Sequence, residues 1–354
     1  MRIRNSLRIT AIATVLLSGC TEQPAPGPQQ DVGLYTFVPS QTQAEAIYDY
    51  AYPLVIMKIS QDLMLTAPFR PPSTPNHFIH FANLAQPQNK AVVLGNRNTL
   101  YSVGWLDLSQ GPVLFEIPDM GDRYYVMPLL DAWTNTFRSL GSHTTGQAAQ
   151  KYLIANERDA EQTLEGYETI VAPTNMVWIT GRIQADSPQD ALGAALLQGQ
   201  YRLLTLREHR DGADPYADYQ AEFSFAEVRL PVPYTLEMPA AAFFETFQKQ
   251  WANNPSPPAD AEMLALLAEF GWTPEAASWA ELPTPVREAL AEGARAKQSA
   301  YRDAFYKGRA QADGWTFIPN GWEPGVPTMP DGPTGHVGAW RQPGRRRGVR
   351  CYPA

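Results

Sequence analysis

Residues 99–107 read Thr-Leu-Tyr-Ser-Val-Gly-Trp-Leu-Asp, a run rich in β-branched and aromatic side chains. This composition is typical of a β-strand. Tyr101 and Trp105 fall on one face of the strand, and Leu100 and Leu106 fall on the other. Because both faces are apolar, we expect this strand to lie between two layers of structure.

Four later segments have the same texture and are separated by Gly, Pro, Asn and Asp, the residues that favour turns. They are Val113–Ile117, Arg123–Leu130, Tyr152–Ile154 and Met176–Arg182. Consecutive strands with short links predict an antiparallel, jelly-roll-like β-sandwich.

Helical spacing of apolar residues flanks these strands. The predicted helices are Gln41–Leu65, with a kink or boundary at Pro53; one that begins after Ser187 and buries Leu192, Leu196, Leu197 and Leu203; Ala240–Trp251; Asp260–Phe270; and Thr284 to about Tyr306. We therefore predict an α+β protein, mostly β with helices. A β domain with an N-terminal helix occupies residues 41–186, and a helical region comes after it at 187–310.

The N-terminus has the order of a signal peptide. Three arginines lie within the first eight residues, and the apolar run after them is too short to span a membrane. It ends in Leu17-Ser18-Gly19-Cys20, which resembles the lipobox of bacterial lipoproteins. The resemblance implies removal of residues 1–19 and acylation of Cys20. Thr21, rather than an acid, resembles the class that is sorted to the outer membrane.

Residues 20–40 are rich in Pro, Gly and Gln, as is typical of a tether. We therefore expect a protein of the cell envelope, anchored to the lipid bilayer through a palmitate-type modification of Cys20 and facing the periplasm. Cys351 is the other cysteine, so an acylated Cys20 leaves no intramolecular disulfide. The stability of the fold must then come from core packing rather than from a disulfide.

The formal charge of −8 is unevenly distributed. The first 20 residues hold three arginines and the last 18 hold five, with no acid in either segment, so the body between them is strongly acidic. Such a surface argues against nucleic acid as a partner. From Gly335 onward the chain is basic and rich in Gly and Pro, and we predict an irregular, disordered tail over residues 311–354.

Several motifs occur in a fixed order: Asn76–His80, Asn96–Ser102, Trp105–Ser109, Gly111–Val113, Arg123–Tyr125, Asp131–Asn135, Gly141, Thr144–Gly146 and Gly181-Arg182. Together they resemble the bacterial family named domain of unknown function 1254, over about residues 40–200. The helical stretch to about residue 310 is similar to the next segment of those proteins. The resemblance implies a jelly-roll-like β domain joined through helices to a second β domain, numbered 1214. Neither name implies an agreed activity.

Two features depart from the family pattern. Asn98 stands where the family usually carries an acid, which weakens the case for a catalytic carboxylate there. The companion domain would begin near Gly321-Trp322, and the arginine-rich tail is found instead. We therefore expect either a truncated or frameshifted version or a naturally short form.

The candidate ligand-binding residues are polar and aromatic side chains that occur within or beside otherwise apolar strands: Arg97, Asn98, Tyr101, Arg123, Tyr125, Asp131, Trp133, Asn135 and Arg182. An isolated buried charge is costly, so an arginine inside a sandwich needs a partner. Either Arg123 or Arg182 pairs with Asp131 to lock the strand ends, or the arginines and aromatic rings line a cleft that grips a carboxylate, a sulfate or a sugar.

Three classes of function remain open. The first is a lipoprotein whose sandwich binds a glycan or a small anionic ligand. The second is a hydrolase or another carbohydrate- or ester-active enzyme, with Asp131, Tyr101, Asp107 and Glu116 as the catalytic candidates. The third is a structural envelope protein without a site. No cofactor is predicted.

His77 and His80 are the candidates for a metal site. Their spacing of three residues suits two ligands on one helical turn, but no third ligand can be named, so no metal is predicted. The preferred interpretation places His80 in the core as a hydrogen-bonded residue and His77 at the surface.

Overall fold

The computed structural model describes residues 37–67, 74–85, 96–216, 230–275, 278–307, 310–312 and 315–317. The helices are α1 (Gln41–Leu65), α2 (Pro188–Gln198), α3 (Leu206–Asp211), α4 (Pro231–Leu236), α5 (Ala240–Trp251), α6 (Ala261–Glu269) and α7 (Thr284–Lys307). The strands are β1 (Phe78–Phe81), β2 (Thr99–Asp107), β3 (Val113–Ile117), β4 (Tyr125–Asp131), β5 (Thr136–Gly141), β6 (Gln150–Asn156), β7 (Glu168–Ala172), β8 (Met176–Gln184), β9 (Arg202–Thr205), β10 (Ala310–Ala312) and β11 (Trp315–Phe317).

The strands from β1 to β9 form two sheets. The central sheet has five strands in the order β1-β2-β8-β4-β5, and the outer sheet has four in the order β7-β6-β3-β9. Neighbouring strands are antiparallel except β6 and β7, which run parallel. The predicted α+β class and the predicted sandwich are therefore confirmed, with one parallel pair added to an otherwise antiparallel arrangement.

The central sheet lies between two apolar layers, as the alternation in β2 predicts. Leu100 and Leu106 belong to the core shared with the outer sheet. Val103 and Trp105, on the opposite face, belong to a second core shared with helices α1, α5 and α7. At Gly104 the sheets approach so closely that an added Cβ would lie 3.0 Å from Leu203.

The helical layer is organised around α1. Its N-terminus is closed by a capping box between Ser40 and Gln43, and Pro53 lies inside the helix, which continues through it. α1 packs on α7, where a Cβ at Gly293 would come within 2.7 Å of Ala44. The sequence assigns α1 to the β domain; in the structure its apolar residues share one core with the helix-facing side of the central sheet and with α5 and α7.

The predicted buried stripe of α2 is wrong at Leu192 and Leu196, whereas Leu197 is half-buried and packs against the core between the sheets. Ser187 caps the helix as expected, accepting a hydrogen bond from Asp190 N at 3.1 Å. However, Leu192 and Leu196 are 71% and 74% exposed, and α2 instead buries Ala191, Ala194 and Gln198. Leu203 is buried, but it lies in β9, which returns from the helical region to the outer sheet.

The predictions for the two ends of the chain can be compared with the structure only in part. Inside the segment that is predicted to be irregular, β10 and β11 form an antiparallel pair. The rest of that tail, the signal peptide, Cys20 and most of the tether lie outside the described residues. Among the helices that the structure describes, none has both the length and the apolar character needed to cross a bilayer.

Candidate functional site

The sequence-predicted site residues divide between the two ends of the central sheet. In the strand register, Tyr101 lies opposite Arg182 near one end, and Asp131 lies opposite Val177 near the other. Arg182 and Val177 are five residues apart on β8, which corresponds to about 17 Å along an extended strand. The nine candidates therefore do not form one cluster, contrary to the single cleft that the sequence suggested.

Asp131 closes the turn between β4 and β5. Its carboxylate accepts hydrogen bonds from Trp133 N at 2.9 Å, Asn135 N at 2.8 Å and Asn135 Nδ2 at 3.1 Å. Burial raises the pKa of the Asp131 carboxyl above its usual range, although the Asn135 and Trp133 hydrogen bonds oppose the change. Thr134, inside the turn, has a φ of 72°, a left-handed conformation that is costly for a β-branched residue. Asp131 thus holds a strained turn in place.

Trp133 fastens this turn to the helical layer. Its Nε1 donates to the Pro255 carbonyl at 2.8 Å, and its ring lies 5.0 Å from that of Tyr50. Nearby, Asn254 Oδ1 accepts a hydrogen bond from Met176 N at 2.8 Å. Asp131, Trp133 and Asn135 are therefore placed for a structural role between the sheet and the helices.

The remaining catalytic candidates are also engaged. Asp107 Oδ1 caps a 3₁₀ turn by accepting from Ser109 N at 2.9 Å. Glu116 accepts a hydrogen bond from the Tyr167 hydroxyl on the outer sheet. Tyr125, which was predicted as a ligand-binding residue, is buried between the two sheets and donates to the Gly146 carbonyl at 2.8 Å. No two of these groups are brought together as an acid–base pair.

One prediction paired Arg123 with Asp131, and the structure shows that this pair does not form. Its guanidinium binds both carboxylate oxygens of Asp190, at 2.7 and 2.8 Å, and also donates to the Gln184 carbonyl at 2.7 Å. The physical reason is topological, because Arg123 precedes β4 while Asp131 ends it. Asp190 sits in the first turn of α2, which the chain folds over this end of the sheet.

The other end of the central sheet brings four candidates together around Tyr101. The Arg182 guanidinium lies over the Tyr101 ring, 5.3 Å from its centroid. The Tyr101 hydroxyl accepts a hydrogen bond from Asn96 N at 2.7 Å, and Asn96 Oδ1 accepts one from Asn98 N at 3.2 Å. These contacts hold the turn that carries Arg97 beside the aromatic ring.

The residues of this group are partly open to solvent, as Arg123 and Asn135 are among the other candidates. Arg97 and Asn98 are exposed, whereas Tyr101 and Arg182 are half-buried. In the part of the chain that the structure describes, no carboxylate forms a salt bridge with Arg97. We call Arg97, Asn98, Tyr101 and Arg182 the Tyr101 group. It offers cationic and aromatic surface to solvent without an attached acid at Arg97.

The two histidines do not lie on a helical turn: His77 directly precedes β1, and His80 lies within it. Because His77 and His80 are three residues apart on extended chain, they fall on opposite faces. His77 Nε2 contacts Glu208 Oε1 at 3.0 Å, and His80 Nδ1 contacts Ser102 Oγ at 2.9 Å in the core. Within the described ranges, no group of three or more His, Cys, Asp or Glu side chains could hold a metal ion.

Sequence reasoning left two tryptophans on the same face as Tyr101 out of the site candidates. Trp105 lies four residues after Tyr101 on β2, and its register partner on β8 is Trp178. The alternation in β2 places Tyr101 and Trp105 on one face. The pairing with β8, more than 70 residues away, could not be read from the sequence.

Comparison with known proteins agrees with this fold. A solved structure, the VPA0106 protein from Vibrio parahaemolyticus, is similar with a TM-score of 0.52 and 21% sequence identity. The match covers 76% of this chain and 61% of that one, so this chain corresponds to less than two thirds of the solved protein. No curated protein matches. A family model described as "Protein of unknown function (DUF1254)" matches residues 75–205, and over that region the chain resembles this family.

Proposed function

We propose that this chain is an envelope-anchored lipoprotein whose β-sandwich captures a small anionic ligand, or the acidic group of a glycan, at the Tyr101 group. The observation that carries the proposal is the Arg182 guanidinium over the Tyr101 ring, 5.3 Å from its centroid, together with the exposed Arg97 on the turn that the Tyr101 hydroxyl holds. A guanidinium fork matches the geometry of a carboxylate or a sulfate, and an aromatic ring beside it suits a sugar.

Preorganisation supports this role. The contact with the Tyr101 ring restricts the Arg182 guanidinium, so less conformational freedom is lost when a ligand binds. The 96–98 turn is likewise fixed by the hydrogen bond from Asn96 N to the Tyr101 hydroxyl. Asn98 adds amide donors without adding negative charge. The group can therefore bind an anion even though the body of the protein is acidic.

The enzymatic alternative has less support. Asp131 and Asp107 use their carboxylates to bind backbone N–H groups, and Asp190, in the first turn of α2, is held by Arg123. The structural alternative accounts for Asp131, Trp133, Asn135, Arg123 and Tyr125. It does not account for an exposed arginine, Arg97, on the turn that the Tyr101 hydroxyl holds.

Ligand capture can be tested by thermal unfolding of residues 30–310 with D-galacturonate, sulfate or, as a neutral comparison, galactose. A ligand at 100 times its Kd stabilises a protein by about 2.7 kcal/mol. We expect galacturonate to raise the unfolding midpoint of the wild type, and galactose to leave it unchanged. Arg97→Ala and Arg182→Lys should each reduce that rise, the first because a charge is lost and the second because the fork geometry is lost.

Arg202 provides a matched control. It stacks on the Tyr216 ring at 5.2 Å in the same manner, but it lies on β9 of the outer sheet. Arg202→Lys should leave the galacturonate response intact. Equal responses to galacturonate in the wild type and in Arg97→Ala would contradict the proposal.

The anchor is a separate part of the proposal and rests on Leu17-Ser18-Gly19-Cys20. Cells that express the full chain can be labelled with a palmitate analogue. We expect label on the wild type and on Cys351→Ala, and none on Cys20→Ala. Label that persists in Cys20→Ala would show that this cysteine is not the acceptor.

A further inference from the structure

A tight turn directly before β1 places a hydroxyl group against an imidazole. Residues 74–77 read Thr-Pro-Asn-His. A proline at the second position and a residue with positive φ at the third are the features of a type II turn, and Asn76 has a φ of 66°. Such a turn brings its first and last residues together. Thr74 Oγ1 accordingly lies 2.8 Å from His77 Nδ1.

The left-handed conformation of Asn76 is held by the end of β2. Its backbone N–H donates to the Trp105 carbonyl at 2.7 Å. Its Oδ1 accepts a hydrogen bond from Asp107 N at 2.8 Å, and its Nδ2 donates to the Asp107 carbonyl at 3.3 Å. Three hydrogen bonds to a central strand make this turn rigid. The contact between Thr74 and His77 is therefore preorganised.

A carboxylate lies on the other side of the imidazole. His77 Nε2 lies 3.0 Å from Glu208 Oε1. Glu208 Oε2 accepts hydrogen bonds from Thr205 N at 2.8 Å and Thr205 Oγ1 at 2.7 Å, in the capping box that begins α3. Burial opposes ionisation of Glu208, but the Thr205 hydrogen bonds and the contact with His77 together lower the pKa of its carboxyl below the usual range. Glu208 is thus ionised at neutral pH, with one oxygen fixed and the other directed at His77.

These neighbours determine which imidazole nitrogen carries the proton. Because an ionised carboxylate only accepts hydrogen bonds, neutral His77 keeps its proton on Nε2 and donates it to Glu208. Nδ1 is then unprotonated and accepts a hydrogen bond from the Thr74 hydroxyl. The Pro75 carbonyl oxygen lies 3.1 Å from the same nitrogen and is placed to accept a hydrogen bond once Nδ1 is protonated. Both protonation states of the ring therefore have partners, as a general base requires.

The hydroxyl end of this arrangement faces solvent. Thr74 is exposed, and the side chains of His77 and Glu208 are 21% and 27% exposed. His80 and Ser102 form a similar hydroxyl–imidazole pair at 2.9 Å, but each of them is only 1% exposed. Of these two pairs, the one at Thr74 is the one that a substrate can reach.

We propose that Thr74, His77 and Glu208 form a hydrolytic triad in which Thr74 is the nucleophile towards a carboxylic ester. His77 Nδ1 takes the proton of the Thr74 hydroxyl while Oγ1 bonds to the ester carbonyl carbon. The bond from that carbon to the alcohol oxygen then breaks, and His77 gives its proton to the departing alcohol. A water molecule, deprotonated by the same nitrogen, attacks the acyl group, releases the acid and restores the Thr74 hydroxyl.

The openness of the site favours an ester over an amide as the substrate. Near solvent, electrostatic stabilisation of the developing oxyanion is weaker than in an enclosed cleft. An alcohol leaves more readily than an amine, so an ester needs less of that stabilisation. Glu208 does not contact the ester; it orients the imidazole and stabilises its positive charge. This activity is separate from ligand capture at the Tyr101 group.

The nucleophile is tested with p-nitrophenyl butyrate and the purified full chain. We expect hydrolysis, and a butyryl group on Thr74 in peptide mass mapping after an acid quench. Thr74→Ala should abolish both, whereas Thr74→Ser keeps a hydroxyl and should retain both. His77→Asn should slow hydrolysis by about 100-fold or more, the usual contribution of a general base. Since Thr74 is exposed, Thr74→Ala should unfold at the same temperature as the wild type.

Glu208→Gln tests the positioning residue. A glutamine at this position can preserve the capping box but carries no charge. We expect a fall of about tenfold in kcat. The pH of half-maximal rate should also fall, because the protonated imidazole loses its counter-charge. A purely structural role for Glu208 would leave the pH profile of the remaining activity unchanged, and that result would remove Glu208 from the triad.

His209→Asn is the matched control, because His209 is an exposed histidine directly after Glu208 on α3 and surface imidazoles also react with nitrophenyl esters. It should leave the rate unchanged. Hydrolysis that survives in Thr74→Ala would show that Thr74 is not the nucleophile and would overturn the proposal. So would an equal loss of rate in His209→Asn and His77→Asn, or a wild type that neither hydrolyses the ester nor becomes acylated.

Discussion

The guanidinium of Arg123 binds the carboxylate of Asp190 through two hydrogen bonds, of 2.7 and 2.8 Å. Asp190 also accepts a hydrogen bond from Asp186 N at 2.9 Å, at the N-terminus of α2. The pair therefore joins the start of β4 to the first turn of α2. It fixes the helix over the end of the sandwich that carries the Tyr101 group.

The first prediction concerns the pH dependence of this pair. The Arg123 hydrogen bonds lower the pKa of Asp190 from 3.8 to about 2. A carboxyl whose pKa is lowered by folding stabilises the protein above its unfolded pKa, and the stabilisation is lost as pH falls through the folded pKa. Asp190→Asn should therefore destabilise the protein at pH 7 and flatten the loss of stability between about pH 4 and pH 2. Denaturant unfolding at a series of pH values would measure this.

Glu168→Gln provides the control, because Glu168 pairs with Arg138 at 2.9 Å in a largely exposed position. Exposed pairs contribute little to stability. A pH profile of Asp190→Asn that coincides with that of the wild type would show that Arg123 does not hold this carboxylate in solution.

The second prediction concerns Asp131. Replacing it by Ala removes the acceptor for Trp133 N, Asn135 N and Asn135 Nδ2. We expect a loss of about 3 kcal/mol in the free energy of unfolding, since partly buried donors would be stranded. Asp131→Asn keeps one acceptor oxygen and should cost clearly less. Similar losses for both variants would mean that the turn does not depend on these hydrogen bonds.

The third prediction concerns strain at Thr134. A β-branched residue with φ of 72° is strained, whereas glycine adopts this conformation without a steric penalty. Thr134→Gly should therefore stabilise the protein by about 1 kcal/mol or leave it unchanged. The contrasting change is Gly141→Ala, which would place a Cβ 2.6 Å from the Tyr125 carbonyl oxygen and should destabilise strongly. Thermal unfolding would rank the two, and a large loss in Thr134→Gly would refute the strain.

The fourth prediction concerns His80. Burial lowers the pKa of its imidazole from 6.5 to about 3. Since the unfolded chain takes up a proton near pH 6.5 and the folded protein does not, stability is lost as pH falls from about 6.5 towards 3. The full loss is on the order of 5 kcal/mol at one pKa unit per 1.36 kcal/mol. His80→Gln, an uncharged replacement, should remove this part of the acid sensitivity. An unchanged slope between pH 6.5 and pH 4 would contradict the assignment.

Several elements could be predicted from the sequence because local chemistry specifies them. β2 and β3 have the predicted bounds, since a run of β-branched and aromatic residues between turn residues favours extended chain. α5 also has its predicted bounds, and α6 ends before Gly271, whose φ of 72° suits a helix C-terminus. The two apolar faces of β2 likewise predicted its place between two layers.

The short edge strands were not predicted. β1 carries His77 just before it and His80 within it, and the spacing of three residues suggested a helical turn. β9 comes after α2 within a helical region. Such four-residue strands have little propensity of their own, and they form because a neighbouring strand offers unpaired backbone groups.

The sequence by itself determined which residues of this protein form the five inner strands of the two sheets and the long helices, that Ser187 caps α2, and that β2 is covered on both faces. Only the tertiary structure decided which charges meet. Arg123 binds Asp190, which is 67 residues away in the sequence. Arg182 contacts the Tyr101 ring because the register of β8 on β2 places the two residues opposite each other. The physical reason is that propensity and capping act over a few residues, whereas strand register and ion pairing depend on how distant segments share a core.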